Sequence, residues 1–136
     1  MVKKIDHIGI AVNSIEEQLP FYIDMMGLKV DKIETVQSEG VKVCFISVGD
    51  THIELLEPIS DESPIKKFLD KNGQGVHHIA YSTDDIVKTV VNLKGKDFKL
   101  INEQPKQGAG GKLICFIHPK STFGVLTEIC QKTEIH

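Results

Sequence analysis

The sequence predicts an α+β fold: two tandem βαβββ modules share one curved mixed sheet, with helices on its outer face. Three observations predict it. The stretch HIGIAVNSI from His7 is echoed by HIAYSTDDI from His78, an offset of 71 residues. The same offset lays Val43-Cys44-Phe45-Ile46 on Ile114-Cys115-Phe116-Ile117. Two distant matches with one offset mark an internal repeat. The order strand, helix, strand, strand, strand can be read in both halves.

The chain has 136 residues, enough for one domain of two fused halves. Either half alone, at roughly 60 residues, would bury a marginal core. The expected layout is a single domain over 1–136: module one at 1–57, a linker helix within 58–75, and module two at 76–131. The net charge of −3, with lysines scattered rather than striped, gives no reason to expect nucleic acid. No apolar run approaches the roughly 20 residues of a membrane span. The opening MVKKIDHIGIAV lacks the small-residue cleavage site of a signal peptide. Three cysteines, Cys44, Cys115 and Cys130, lie in apolar strand patterns. They read as reduced, packed thiols in a cytoplasmic protein.

In 5–12, Ile8, Ile10 and Val12 alternate with His7, Gly9 and Ala11. The first set faces a helix; the second leaves a hollow beside a histidine. Residues 14–26 read as that helix. Ser14 and Glu17 form a capping box, and Ile15, Leu19, Tyr22, Ile23 and Met26 make the apolar stripe. Gly27 stops it, and Pro20 should kink or shorten it. Strands follow at 28–36, 41–48 and 51–57, the last two a hairpin around Gly49-Asp50. In the last, His52, Glu54 and Leu56 share one face. The linker carries a short helix capped by Ser63, opened by Pro64 and stopped by Asn72-Gly73, placed to strap the halves together.

The second half repeats the order. Strand 76–83 puts His78, Ala80 and Ser82 on one face, with His77 opposite. Helix 84–94 starts at Asp84, and strand 98–103 precedes the loop QPKQGAGGK at 104–112. Strand 113–118, the turn HPKSTFG and strand 124–131 complete it. Leu126, Glu128 and Cys130 share a face.

The repeat selects the chemistry. His7 corresponds to His78. Glu54 corresponds to Glu128 at an offset of 74, three more than 71, which a longer hairpin turn in the second half absorbs. Pseudo-twofold symmetry would bring His7, Glu54, His78 and Glu128 together inside the curved sheet. A lone strand histidine is more often an ordinary core or surface residue. Four such residues at equivalent places beside small neighbours point instead to a metal site. Two imidazoles and two carboxylates suit a borderline divalent cation acting as a Lewis acid. His52 has no partner in the second half; His77, His118 and His136 read as structural or surface residues. The loop GAGGK fails the phosphate-loop pattern, because Lys106 and Leu113 occupy key positions. It reads as a mobile lid.

These features resemble the vicinal oxygen chelate superfamily, the glyoxalase/bleomycin resistance/dioxygenase group, and within it the methylmalonyl-CoA epimerases. IELLEP, DESPIKKFLDKNGQGVHHIAY, PKQGAGGK, FIHPKS and GVLTEI carry the resemblance, which covers nearly the whole chain. It implies a cup-shaped sheet around a divalent metal (cobalt, nickel, manganese or zinc) with His7, Glu54, His78 and Glu128 as ligands. It implies an acyl-CoA substrate inverted at the carbon between carboxylate and thioester, with proton transfer by Glu128 and Glu54. A glutamate that such epimerases can carry after the Gly40 turn is Val43 here, which makes Glu54 the candidate for the missing base. The same scaffold also serves glyoxalase-type lyases and metal-free binding proteins. An iron dioxygenase fits less well, because a fourth ligand is available. A homodimer is expected from the exposed strand edges.

Overall fold

The computed structural model describes residues 1–133, so the reading of His136 lies outside the described residues. The fold is mixed α+β, and the chain divides into two compact units. One runs from His7 to His77; the other joins Met1–Asp6 to the chain from His78 onward. No helix among the described residues is long and apolar enough to cross a membrane.

In the first unit, β1 (Val2–Ala11, its first residues counted with the other unit) leads into α1 (Ile15–Leu19). β2 (Val30–Val36), β3 (Val41–Val48), β4 (Thr51–Pro58) and α2 (Pro64–Asn72) follow. The strand order is β2-β3-β4-β1; β3 pairs antiparallel with both β2 and β4, and β1 runs parallel to β4. Ser14 caps α1 by accepting from the Glu17 amide at 3.3 Å. The helix is shorter than the expected 14–26. At Pro20, which has no amide hydrogen to donate, it rewinds into a π-helix over Pro20–Met25, where the Met26 amide reaches Phe21 O at 3.0 Å. The wider turn rotates Met26 out of the apolar stripe, and it is exposed. Ile15, Leu19 and Tyr22 keep to the stripe and pack with Ile10, Val12, Cys44, Ile46 and Leu55. β2 starts two residues later than expected and carries a register shift between Val30 and Lys32. α2 forms as expected: Ser63 Oγ accepts from the Ile65 amide, and the Gly73 amide closes on Leu69 O at 2.8 Å.

The second unit holds β5 (Gly75–Thr83, its first three residues counted with the other unit), α3 (Ile86–Gly95), β6 (Lys106–Gln107), β7 (Lys112–Ile117) and β8 (Thr127–Lys132). Its order is β5-β8-β7-β6, with β5 parallel to β8 and both hairpin pairs antiparallel. The cap of α3 is Asp85, accepting from Lys88 at 3.0 Å, not Asp84. Asp84 instead meets the N-terminal amino group at 3.1 Å. The expected strand at 98–103 does not form; only Leu100 bridges Ile117. Asn102 explains this. Its Oδ1 accepts from the Phe116 amide at 2.8 Å, and its Nδ2 donates to Gln104 O and Ile114 O. A side chain fills the ladder position that a strand backbone would occupy. Pairing resumes in the glycine-rich segment, where β6 lies against β7 at Leu113 and Ile114. β8 starts at Thr127, not 124, because the turn before it is longer than read.

The repeat holds at the level of packing. Cys44 and Ile46 of β3 with Leu55 of β4 form the helix-side core of one unit. Cys115, Ile117 and Ile129 do the same in the other.

A candidate metal-binding and catalytic site

Each unit places one histidine beside one glutamate by the same device. In the first, β1 and β4 run parallel with Gly9 opposite Glu54. His7, two residues earlier on the same face, brings Nδ1 to 3.1 Å from Glu54 Oε2. In the second, β5 and β8 run parallel with Ala80 opposite Glu128, and His78 Nε2 lies 3.3 Å from Glu128 Oε1. Gly9 and Ala80 differ by the 71-residue offset. Both are too small to fill the space between imidazole and carboxylate. A phenylalanine faces each glutamate across its hairpin: Phe45 opposite Glu54, Phe116 opposite Glu128. The sequence repeat contained both phenylalanines, but their role as walls follows only from the strand register.

All four side chains are buried: His7 3%, Glu54 3%, His78 5% and Glu128 4% exposed. Ionisable groups are seldom this deep unless paired or ligating. Each pair by itself offers an imidazole nitrogen and a carboxylate oxygen in a dry setting, and such a donor set fits a borderline divalent cation.

The other histidines have different surroundings. His52 shares the face of His7 and Glu54, and its Nε2 stands 3.6 Å from Asp31 Oδ2. Ser47 Oγ donates to the same carboxylate. Asp31 enters this cluster through the register shift in β2, which strand alternation alone does not announce. His77 stacks edge-on against Phe68 at 4.9 Å. His118 Nδ1 accepts from the Lys120 amide at 3.0 Å and caps a short 3-10 turn, Pro119–Ser121. Val43 is buried at 1% opposite Leu56, an apolar place with no proton to exchange. In the second unit Lys112 Nζ meets Asp6 Oδ2 at 2.6 Å, a largely buried ion pair that the sequence did not announce. The thiols of Cys44 and Cys115 are buried, and burial pushes both pKa values up. They are packing groups, not nucleophiles.

With the duplicated fold and the two His–Glu pairs in view, comparison with known proteins places the class. Residues 6–116 match the family model described as the Glyoxalase/Bleomycin resistance protein/Dioxygenase superfamily, and the chain belongs to that superfamily. Its relatives within the superfamily include epimerases and uncharacterized proteins. The chain is 38% identical over 133 residues to the ethylmalonyl-CoA/methylmalonyl-CoA epimerase of Cereibacter sphaeroides, covering 96% of this chain and 99% of that one. It is 42% identical over 130 residues to the uncharacterized protein YqjC of Bacillus subtilis, covering 96% and 93%. A solved methylmalonyl-CoA epimerase in complex with methylmalonyl-CoA and NH4+ superposes with a TM-score of 0.94 at 33% identity, covering 100% of this chain and 99% of that one.

Proposed function

We propose that the chain is a metal-dependent epimerase of methylmalonyl-CoA, interconverting the 2R and 2S forms by proton transfer at C2. One observation carries the reading: two buried His–Glu pairs, built alike by the two halves of a repeat, in a chain whose relatives include epimerases of this substrate. The proposed ligands are His7, Glu54, His78 and Glu128. A divalent cation held by these residues would supply Lewis-acid stabilisation of charge that develops on the substrate.

The chain's own residues would do the rest. Inversion needs one group to take the C2 proton from one face and another to return a proton to the opposite face. Glu128 is assigned one of these transfers and Glu54 the other. Both carboxylates are buried, away from bulk water. Phe45 and Phe116, facing the two glutamates, keep water from competing for the proton. Val43 stands where a second base could have come from, so the burden falls on Glu54. The reading includes an acyl-CoA substrate, a cytoplasmic setting in keeping with three free cysteines, and a homodimer, which sedimentation equilibrium checks.

The deciding experiment is isotope exchange. Methylmalonyl-CoA is incubated in deuterated water with metal-loaded protein. Deuterium should enter at C2, with loss of optical purity. No deuterium entry with metal present rejects the assignment, and turnover of a glutathione hemithioacetal in its place would make the chain a glyoxalase-type lyase.

A further inference from the structure

The offset of the repeat changes at one place, between the last two strands of each half, and that place presents an aromatic ring to solvent. Across the β3–β4 hairpin, Phe45 pairs with Glu54; across the β7–β8 hairpin, Phe116 pairs with Glu128. The second connection is three residues longer. It contains Phe123, fully exposed at 101% with a φ of 57°. A left-handed backbone is costly for a side chain of this size, and it persists only where the surroundings dictate it. Here they do. The Gly124 amide donates to Pro119 O at 2.8 Å, the Thr122 amide donates to the same oxygen at 3.1 Å, and the Val125 amide donates to Thr122 O. The turn is also pinned to the segment before it: the His118 amide donates to Lys99 O at 2.8 Å, and the Lys99 amide donates to Ser121 Oγ at 2.9 Å. One locked turn thus presents the ring of Phe123 together with two exposed lysines, Lys99 and Lys120.

A solvent-facing ring carried on a pinned backbone beside two cations suits a ligand with a flat aromatic base and phosphate groups. A long nucleic acid is disfavoured by the net charge of −3. A single nucleotide is not. Glu128 is five positions after Phe123, so their backbones lie at most about 18 Å apart, within the span of an extended pantetheine arm. The insertion also supplies what a symmetric pair of donors lacks. A thioester of coenzyme A has only one nucleotide end, so only one of the two hairpins needs to receive it.

We infer that the His118–Val125 turn is the subsite for the phosphorylated adenine nucleotide of the substrate, with Phe123 stacking on the base and Lys99 and Lys120 meeting the phosphates. This rests on the acyl-CoA reading, and its test is chosen to stand apart from turnover. The probe is adenosine 3′,5′-bisphosphate, titrated by calorimetry into the full chain at two salt concentrations. Wild type should bind, more weakly at high salt. Phe123→Ala should weaken binding roughly tenfold, and K120A should weaken it and flatten the salt dependence. Val91→Ala, an exposed apolar residue on α3, serves as the control. Phe123→Gly should lose the nucleotide yet raise the melting temperature, because the backbone strain is relieved; a merely structural Phe123 would not separate the two. With substrate, the KM advantage of methylmalonyl-CoA over methylmalonyl-pantetheine should shrink in Phe123→Ala. Undetectable nucleotide binding by wild type, or equal binding by wild type, Phe123→Ala and K120A, overturns the assignment. So does a Phe123→Ala change that dissociates a dimer without touching nucleotide affinity. Phe123-dependent binding without any C2 exchange would leave the turn intact and sink the epimerase reading alone.

Discussion

The ring of Phe116 stands edge-on to the imidazole of His78, centroids 5.4 Å apart and planes at 83°. Phe116 thereby touches one member of the second donor pair and faces the other, Glu128, across the hairpin. An edge-to-face pair of this kind contributes about 0.5–1.5 kcal/mol beyond its buried area. Phe116→Leu keeps most of the volume and removes the ring edge. Urea denaturation should show a loss of about 1 kcal/mol, and isothermal titration of a divalent cation should show weaker binding, because His78 loses the wall that orients it.

The two carboxylates should separate by substitution. Glu128→Gln is expected to lower C2 deuterium exchange by about a hundredfold or more, the usual scale for removing a general base. Glu54→Gln keeps an oxygen that can ligate, so bound metal measured by elemental analysis should fall less than exchange does. Equal and small effects on exchange for both variants would remove Glu54 and Glu128 from proton transfer.

Metal removal should cost stability as well as activity. A cation bound at a hundred times its Kd stabilises the fold by about 2.7 kcal/mol. Dialysis against a chelator should lower the melting temperature and abolish exchange, and both should return when a divalent cation is restored. A melting curve indifferent to the chelator would count against the proposed metal ligands.

Cys44 and Cys115 give a pH prediction whose sign is fixed. Burial raises both thiol pKa values, so unfolded thiols ionise at a pH where folded ones do not. Their contribution to stability is full below the ordinary thiol range of about 8.5 and is lost as pH rises through the higher folded values. Native protein at pH 8 should leave both thiols unreactive toward a disulfide reagent, and denaturant should release them. Fast labelling of either in native protein would contradict their packing role.

Gly40 makes a sharper test of the backbone. Its φ is 65°, and a Cβ there would lie 3.2 Å from Ser63 Cβ and 3.3 Å from Ser63 Cα. Both the left-handed backbone and the contact oppose a side chain. Gly40→Ala should lower stability by about 1–2 kcal/mol and disturb the capping of α2 by Ser63, read as reduced helical ellipticity.

The two His–Glu pairs were legible to the extent that they are duplicated. His7 and His78 stand out because one offset also joins Cys44 to Cys115 and Ile46 to Ile117, and a repeated core requires the same residue types on the same faces. The three-residue mismatch between Glu54 and Glu128 was readable as extra turn length, and the hairpin registers place it there. Features set by single side chains were not legible. Asn102 dissolves a strand by taking over its hydrogen bonds, and nothing in apolar alternation announces that. Pro20 signalled a disturbance but not its form, since a kink, a stop and a π-helix all relieve the same missing donor. Asp31 reaches Ser47 and His52 through a register shift in β2 that a period-2 reading cannot contain.

The parallel pairings have a kinetic consequence. His7 and Glu54 are 47 residues apart in the chain, and His78 and Glu128 are 50. Neither pair can assemble from a local hairpin; each waits for a parallel strand to close a long loop, which is the slow part of forming such topologies. During refolding, cation affinity should therefore appear late, after the two antiparallel hairpins have formed, so that a cation reports the arrival of the native state and does little to hasten it.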